Sequence, residues 1–285
     1  MKVDELKMAE YYFRHFVTTE WDQRLPLHLF SIGYSEHQSV IHREQGFSCY
    51  HWLHTVEGCG EFEVGGRTFP LAPNQGMLLK PNVPHHYRPL TPRWSTWYLT
   101  FDGALANPIT AALDLPMMTP FGWEADSPLA RLHTEYGEKC RYSFDFAGIN
   151  GSLEVYAFLA KVKQFVQVSG QPSLSKGHER LTPIYLLIEE HYDDPSLGLP
   201  RMAETLGISS QHLSTLFRKS WGISPYQYLL QFRIQKSKEL LLKFPGRHVK
   251  EIAGQVGFQD DSHFVSTFHK LAGMTPASFR QQFSE

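Results

Sequence analysis

Two stretches near the end of the 285-residue chain set small hydrogen-bonding side chains at helical spacing between apolar anchors. In the first, Leu213, Leu216 and Phe217 share one helix face, which leaves Ser210, Gln211, Ser214, Thr215 and Arg218 on the other. In the second, Phe264 and Phe268 are the anchors, and Asp261, Ser262, His263, Ser266 and Thr267 point outward. Short hydroxyl and amide side chains on an exposed helix suit the reading of base edges. Arg218, Lys219 and Lys270 stand where phosphates would pass.

The elements around these faces are duplicated. Ala203, Leu206, Gly207 and Ile208 recur fifty residues later as Ala253, Val256, Gly257 and Phe258. The offset then becomes fifty-one: Leu213 matches Phe264, Phe217 matches Phe268, Lys219 matches Lys270, Gly222 matches Gly273, and Ser224-Pro225 matches Thr275-Pro276. One residue inserted in the second turn accounts for the slip. Each copy has a short helix ending at a glycine, then a capping residue (Ser209, or Asp260 or Asp261), then the polar-faced helix. This is the helix-turn-helix plan, twice. Residues 224–244 read as one long helix between the copies, a spacer able to set two recognition helices about 34 Å apart in successive major grooves. Charge follows the same division: residues 1–175 carry 14 Lys+Arg against 18 Asp+Glu, whereas residues 201–250 carry 9 against 2. A basic segment beside a mildly acidic half fits a DNA-binding module joined to a different domain.

The runs MAETLGISSQHLSTLFRKSWGISPYQYLLQFRIQKSKELL and VKEIAGQVGFQDDSHFVSTFHKLAGMTPASFR, about 100 residues together, closely resemble the AraC/XylS family of transcription regulators. The resemblance implies that Gln211, Ser214, Thr215, Ser262, His263 and Ser266 occupy positions the family uses on DNA. Two departures stand out. Ser266 replaces a usually basic residue, and His269 a usual lysine, so the first unit is expected to dominate binding. Activation is the commoner mode in the family, which implies RNA polymerase as a partner beside double-stranded DNA.

From about residue 20 to 103 the texture differs: short aromatic and β-branched runs are punctuated by Gly, Pro and Asn, as expected of a small β-barrel or sandwich. GEFEV-GG-RTFPL is the clearest hairpin. In SLEVYAFLAKVKQFVQV, Leu153, Tyr156, Ala157, Ala160, Val162, Phe165 and Val166 set a helical apolar rhythm, for packing on the β-domain or for pairing with a second subunit. SGQPSLSKG reads as a linker. The expected organisation is α+β and multidomain: a cupin-like barrel over 1–103, a helical, dimer-forming segment over 104–168, a linker over 169–177, and an all-α double helix-turn-helix domain over 178–285.

The stretch VEGCGEFEVGGRTFPLAPNQGMLLKPNVPHHY, followed by WSTWYLTFDG, resembles the sugar-sensing cupin barrel of many such regulators. That resemblance implies a barrel of roughly eight strands around one small effector, with Glu57, Tyr87, Thr96 and Tyr98 in the lining. Glu57 stands where an arabinose-binding relative has a basic residue, so the identity of that sugar does not carry over. The rival reading is a metal-dependent cupin enzyme, an isomerase or dioxygenase with a helical appendage, using His51, His54, Glu57 and His85. A separation of three residues, however, puts His51 and His54 on opposite faces of a strand. No nucleophile, phosphate-loop or zinc-protease motif occurs, so no catalytic residue, metal ligand or cofactor is expected. Cys49, Cys59 and Cys140 form no metal or disulfide pattern. With no signal peptide and no apolar run of membrane length, a cytoplasmic protein is expected.

Overall fold

Apolar and polar residues alternating along two long segments generate the first unit of the computed structural model, which describes residues 11–140, 146–168 and 170–283. The chain divides into compact units at Met1–Ser175 and Lys176–Glu285. Beside a short helix, α1 (Glu20–Arg24), the first contains the strands β1 (Tyr11–His15), β2 (His28–Ser35), β3 (Ile41–Arg43), β4 (Tyr50–Val64), β5 (Arg67–Leu71), β6 (Gln75–Leu79), β7 (His85–Asp102) and β8 (Phe121–Gly122). They form an antiparallel sheet in the order β1-β2-β7-β4-β6-β8, with β3 added to β7 and β5 to β4. The Gly65-Gly66 link closes the β4–β5 hairpin with both residues at positive φ, as its sequence predicts.

The two faces of β4 and β7 do different work. Trp97, Leu99 and Phe101 of β7, with Trp52 of β4, pack into a core shared with α4 (Gly148–Phe165) through Val155, Phe158, Leu159 and Val162. Tyr98 and Thr100 of β7 and His51 of β4 face the opposite way, into the interior. Part of that interior is filled by a second apolar cluster that includes Leu53, Phe62, Leu79, Tyr87 and Trp94.

Three expectations need correction. The 104–168 segment is not wholly helical: besides α2 (Ala106–Ala112), α3 (Leu132–Lys139) and α4 it supplies β8, which extends the sheet past residue 103 by pairing with β6. The polar stretch 169–177 becomes helix from Leu174 onward. The buried face of α4 is Gly151, Val155, Phe158, Leu159 and Val162, because these residues meet the sheet; Leu153 and Tyr156 lie outward.

The second unit is helical: α5 (Leu174–His191), α6 (Leu199–Thr205), α7 (Ser210–Trp221), α8 (Pro225–Lys243), α9 (Val249–Gln255), α10 (Asp261–Ala272) and α11 (Pro276–Phe283). It has two cores. Leu181, Ile184, Met202, Leu213 and Phe217 form one, and Ile252, Val256, Phe258, Phe264 and Phe268 the other. The long helix α8 enters both, giving Leu229 to the first and Ile234 and Leu241 to the second. At 1.5 Å per residue it spans about 28 Å.

Candidate DNA interface and effector cavity

Both polar-faced helices are held the same way. Ser209 caps α7 by accepting the His212 amide at 3.2 Å, and Asp260 caps α10 by accepting the His263 amide at 2.6 Å. Each helix ends on a left-handed glycine, Gly222 or Gly273. With Leu213, Leu216 and Phe217 buried, Gln211, Thr215, Arg218 and Lys219 are exposed, and Ser210 and Ser214 half-buried. With Phe264 and Phe268 buried, Asp261, Ser262, His263, Ser266 and Lys270 are exposed, and Thr267 is half-buried. Thr215 donates its hydroxyl to the Gln211 carbonyl at 3.0 Å, and Ser266 to that of His263 at 3.1 Å. Each hydroxyl thereby spends its proton on its own helix and turns its oxygen outward as an acceptor. Arg233 clamps the two cores together. It is 3% exposed and donates to the Tyr192 carbonyl at 2.7 Å and the Asp194 carbonyl at 2.8 Å, while its guanidinium lies 5.8 Å from the Phe258 ring.

In the first unit the interior of the sheet holds a cavity of about 340 Å³, lined by side chains of β1, β2, β3, β4 and β7 and of the loops beside them. Tyr98 forms one wall. Its ring lies over Gly33, its cross-strand partner on β2, where a Cβ would come within 2.3 Å of the ring. Ser31 and Thr100 meet hydroxyl to hydroxyl at 2.6 Å. Arg43 at the end of β3 reaches in, its Nη1 3.4 Å from His85 Nε2 and 3.5 Å from His51 Nδ1, with the guanidinium over the Phe47 ring at 4.7 Å. Burial, reinforced by the Arg43 charge, holds His51 well below the usual imidazole range. Burial likewise brings His85 down to about 4, against the hydrogen bond between its Nδ1 and the Val83 carbonyl. Both rings are therefore neutral near pH 7.

Residues 202–282 match a helix-turn-helix domain, and residues 30–136 match the AraC-like ligand binding domain. The chain is 26% identical over 245 residues to the Msm operon regulatory protein of Streptococcus mutans serotype c, a match covering 80% of this chain and 82% of that one. It is 24% identical over 276 residues to the uncharacterized HTH-type transcriptional regulator YfiF of Bacillus subtilis, covering 91% and 84%. The C-terminal domain of the two-component response regulator yesN from Fusobacterium nucleatum is similar at 42% identity, over 34% of this chain and 93% of that domain, with a TM-score of 0.33. The chain belongs to the AraC/XylS family. It is a DNA-binding transcription regulator with a ligand-binding domain, and its relatives are regulators rather than enzymes.

In this AraC-family regulator the lining residues expected from the sequence are separated. Tyr87 and Tyr98 line the cavity, whereas Thr96 is buried and acts one step back, donating to Gln38 Oε1 at 2.7 Å. Glu57 is not in the lining. A bulge between Thr55 and Glu57 reverses the inward parity of β4, so Glu57 is exposed and pairs with Arg93 at 3.3 Å. The residues missed are Arg43, His51, Ser31 and Thr100. Strict alternation from Tyr98 to Thr100, and from Ile41 to Arg43, was a usable signal for two of them. His51 and His54 lie on opposite faces of β4. His54 accepts from Trp52 Nε1 at 2.9 Å inside the helix-facing core, where burial lowers its pKa to about 3. The two rings cannot converge on one ion. Among the described residues no group of three His, Cys, Asp or Glu could hold a metal, and no helix is long and apolar enough to cross a membrane.

Proposed function

We propose that the protein is a sugar-responsive activator that works as a homodimer and reads DNA with both α7 and α10. The observation that carries the DNA reading is the paired outward faces. Two helices with equivalent caps and buried anchors are referenced to one spacer, α8, and present Ser210, Gln211, Ser214, Thr215, Arg218 and Lys219 on one side and Asp261, Ser262, His263, Ser266 and Lys270 on the other. The first group reads bases through its hydroxyls and amide and meets phosphates through its cations; the second does so with less positive charge.

A sugar suits the cavity because aromatic faces (Tyr87, Tyr98, Phe47) cover C–H surface while Ser31, Thr100 and His51 supply hydrogen bonds. Tyr87 and Tyr98 are direct contacts in this reading, Thr96 a support, and Glu57 none. Dimerisation is supported by α4. Ile149, Leu153 and Tyr156 follow one another at helical spacing and are 57%, 63% and 50% exposed, an apolar stripe on the side away from the sheet. Effector binding favours one arrangement of the dimer over another and so changes which half-sites it holds, bringing RNA polymerase to the promoter in the cytoplasm. The test is a shift assay of the full chain on operator DNA with and without sugars, beside in vitro transcription. Sugars that bind yet leave occupancy and transcript unchanged would remove the coupling, and repression on binding would remove the activator role.

A further inference from the structure

A second cleft, of about 400 Å³, lies where α1, the start of β2 and the end of β7 meet. It shares no lining residue with the effector cavity. Where the two approach, Phe30 of the cleft meets Phe47 of the cavity edge to face, with ring centroids 6.2 Å apart. Asp102 is the single Lys, Arg, Asp or Glu side chain in the lining of the cleft, and among the described residues no Lys or Arg pairs with it. The loop after β7 presents that carboxylate. Asp102 Oδ1 accepts the Gly103 amide at 2.9 Å, which leaves Oδ2 for another donor. Gly103 has φ +149° and presses on the preceding loop, since a Cβ there would lie 2.4 Å from the Pro26 carbonyl oxygen. Two more polar atoms of the lining, His28 Nδ1 and Thr18 Oγ1, are buried and have no hydrogen-bond partner. Burial lowers the pKa of His28 against the pull of the Asp102 and Asp22 charges, so the ring is neutral near pH 7 and can offer Nδ1 as an acceptor. Burial also pushes the Cys49 thiol up to about 12, which leaves it protonated and no nucleophile.

These groups call for the same complement. A carboxylate oxygen, an imidazole nitrogen and a hydroxyl oxygen all accept, and the N–H of a cation makes the stronger kind of hydrogen bond to each. An anion would meet Asp102 with no counter-charge in the lining, and a neutral polyol would leave the carboxylate unpaired. The Phe30 ring adds π surface, which favours a cation again. We propose that this cleft is a second small-molecule site, separate from the effector cavity. It takes a small aliphatic cation with N–H donors, its charged head on Asp102 and its remaining donors on His28 and Thr18. A protonated primary amine and a guanidinium share this chemistry.

The experiment is calorimetric titration of the full chain, at pH 7 and fixed ionic strength, with four ligands that share one tail: n-butylamine, n-butylguanidine, n-butyltrimethylammonium and n-butanol. The amine or the guanidine should bind roughly 10- to 100-fold more tightly than the alcohol, which lacks the charge, and than the quaternary ammonium, which lacks the N–H. Whichever of the two binds more tightly identifies the head group. Asp102→Asn keeps an acceptor for the Gly103 amide while removing the charge, and should weaken that binding about 10-fold or more. Thr18→Val removes a hydroxyl that has no hydrogen-bond partner, so it should weaken binding about 2- to 10-fold without lowering the Tm. Circular dichroism melts establish that each variant is folded, and Thr18→Val decides alone if Asp102→Asn melts early. Equal affinity across the four ligands, no binding of either N–H cation at millimolar concentration, or affinity that survives either substitution overturns the proposal.

Discussion

From its cap to the end of its helix, the first reader carries Arg218 and Lys219 and no acid, a net of +2 over residues 209–221; the second carries Asp260, Asp261 and Lys270, a net of −1 over residues 260–272. Beneath those surfaces the scaffolds coincide: a capped start, aromatic or leucine anchors inward, a left-handed glycine at the end. They differ again in the turn. Gly207 has open space around the position a Cβ would occupy, whereas at Gly257 a Cβ would lie 2.6 Å from the Tyr192 carbonyl oxygen and 2.8 Å from Arg233 Nη2. The duplication has therefore kept what holds a recognition helix in place and released what that helix touches. The second reader is tied more tightly to the shared clamp and is less attractive to phosphate.

The widest gap should appear in stability. Both turn glycines are left-handed, so Gly207→Ala should cost about 1–2 kcal/mol from backbone strain alone. Gly257→Ala adds a clash with backbone and a buried guanidinium, and should exceed roughly 3 kcal/mol in urea unfolding of the full chain. Similar losses for the two variants would break the contrast in the turns. Next comes affinity. Arg218→Ala should weaken operator binding by about 1–3 kcal/mol and reduce the salt slope by about 1, with Thr215→Ala at the lower end of that range. Ser266→Ala should stay within about 0.5 kcal/mol. Anisotropy titrations at several salt concentrations measure all three, and equal losses would mean that the readers contribute alike. In the opposite sense, His269→Arg should tighten binding and raise the salt slope by about 1; an unchanged slope would place that position away from phosphate.

The smallest effect concerns the entry to the first reader. Hydrogen bonds from Ser196, and then Arg201, hold the Asp194 carboxyl down at about 2. An unfolded aspartate titrates near 3.9, at about that value by model peptides. The folded group is thus the stronger acid, and its contribution is present above about pH 4 and lost as pH falls through about 2. Asp194→Asn should flatten the acid unfolding curve in that window alone, followed by circular dichroism. The second reader instead begins with the His248 amide donating to the Glu251 carboxylate at 2.9 Å.

The readers were legible because their constraints are local. A glycine that must turn left, a cap, and anchors three or four residues apart leave direct marks in sequence, and the shift from fifty to fifty-one marks the longer turn before Asp260. The clamp was not legible. Arg233 lies within a basic helix and looks like a surface cation until Tyr192 and Asp194, some forty residues earlier, bring their carbonyls to it. The cavity was legible in part. Period-two alternation places Tyr98, but one bulge removes Glu57, and Arg43 sits on a three-residue strand whose place is set only by pairing with β7. On α4 the apolar residues run around the helix, so periodicity alone could not say which of its two apolar sides meets the sheet.

The alternation along β7 makes the effector chamber and the outer helix next-door tenants separated by a single strand. Tyr98 lines the cavity. Trp97, one residue away, points out to the core of α4, 6.1 Å from the Phe158 ring, and donates to the Tyr12 hydroxyl at 2.7 Å. The Tyr98 ring on the cavity side and the Trp97 ring on the helix side hang from the same stretch of backbone. A single peptide bond separates that wall of the cavity from the core of the helix whose far side carries Ile149, Leu153 and Tyr156.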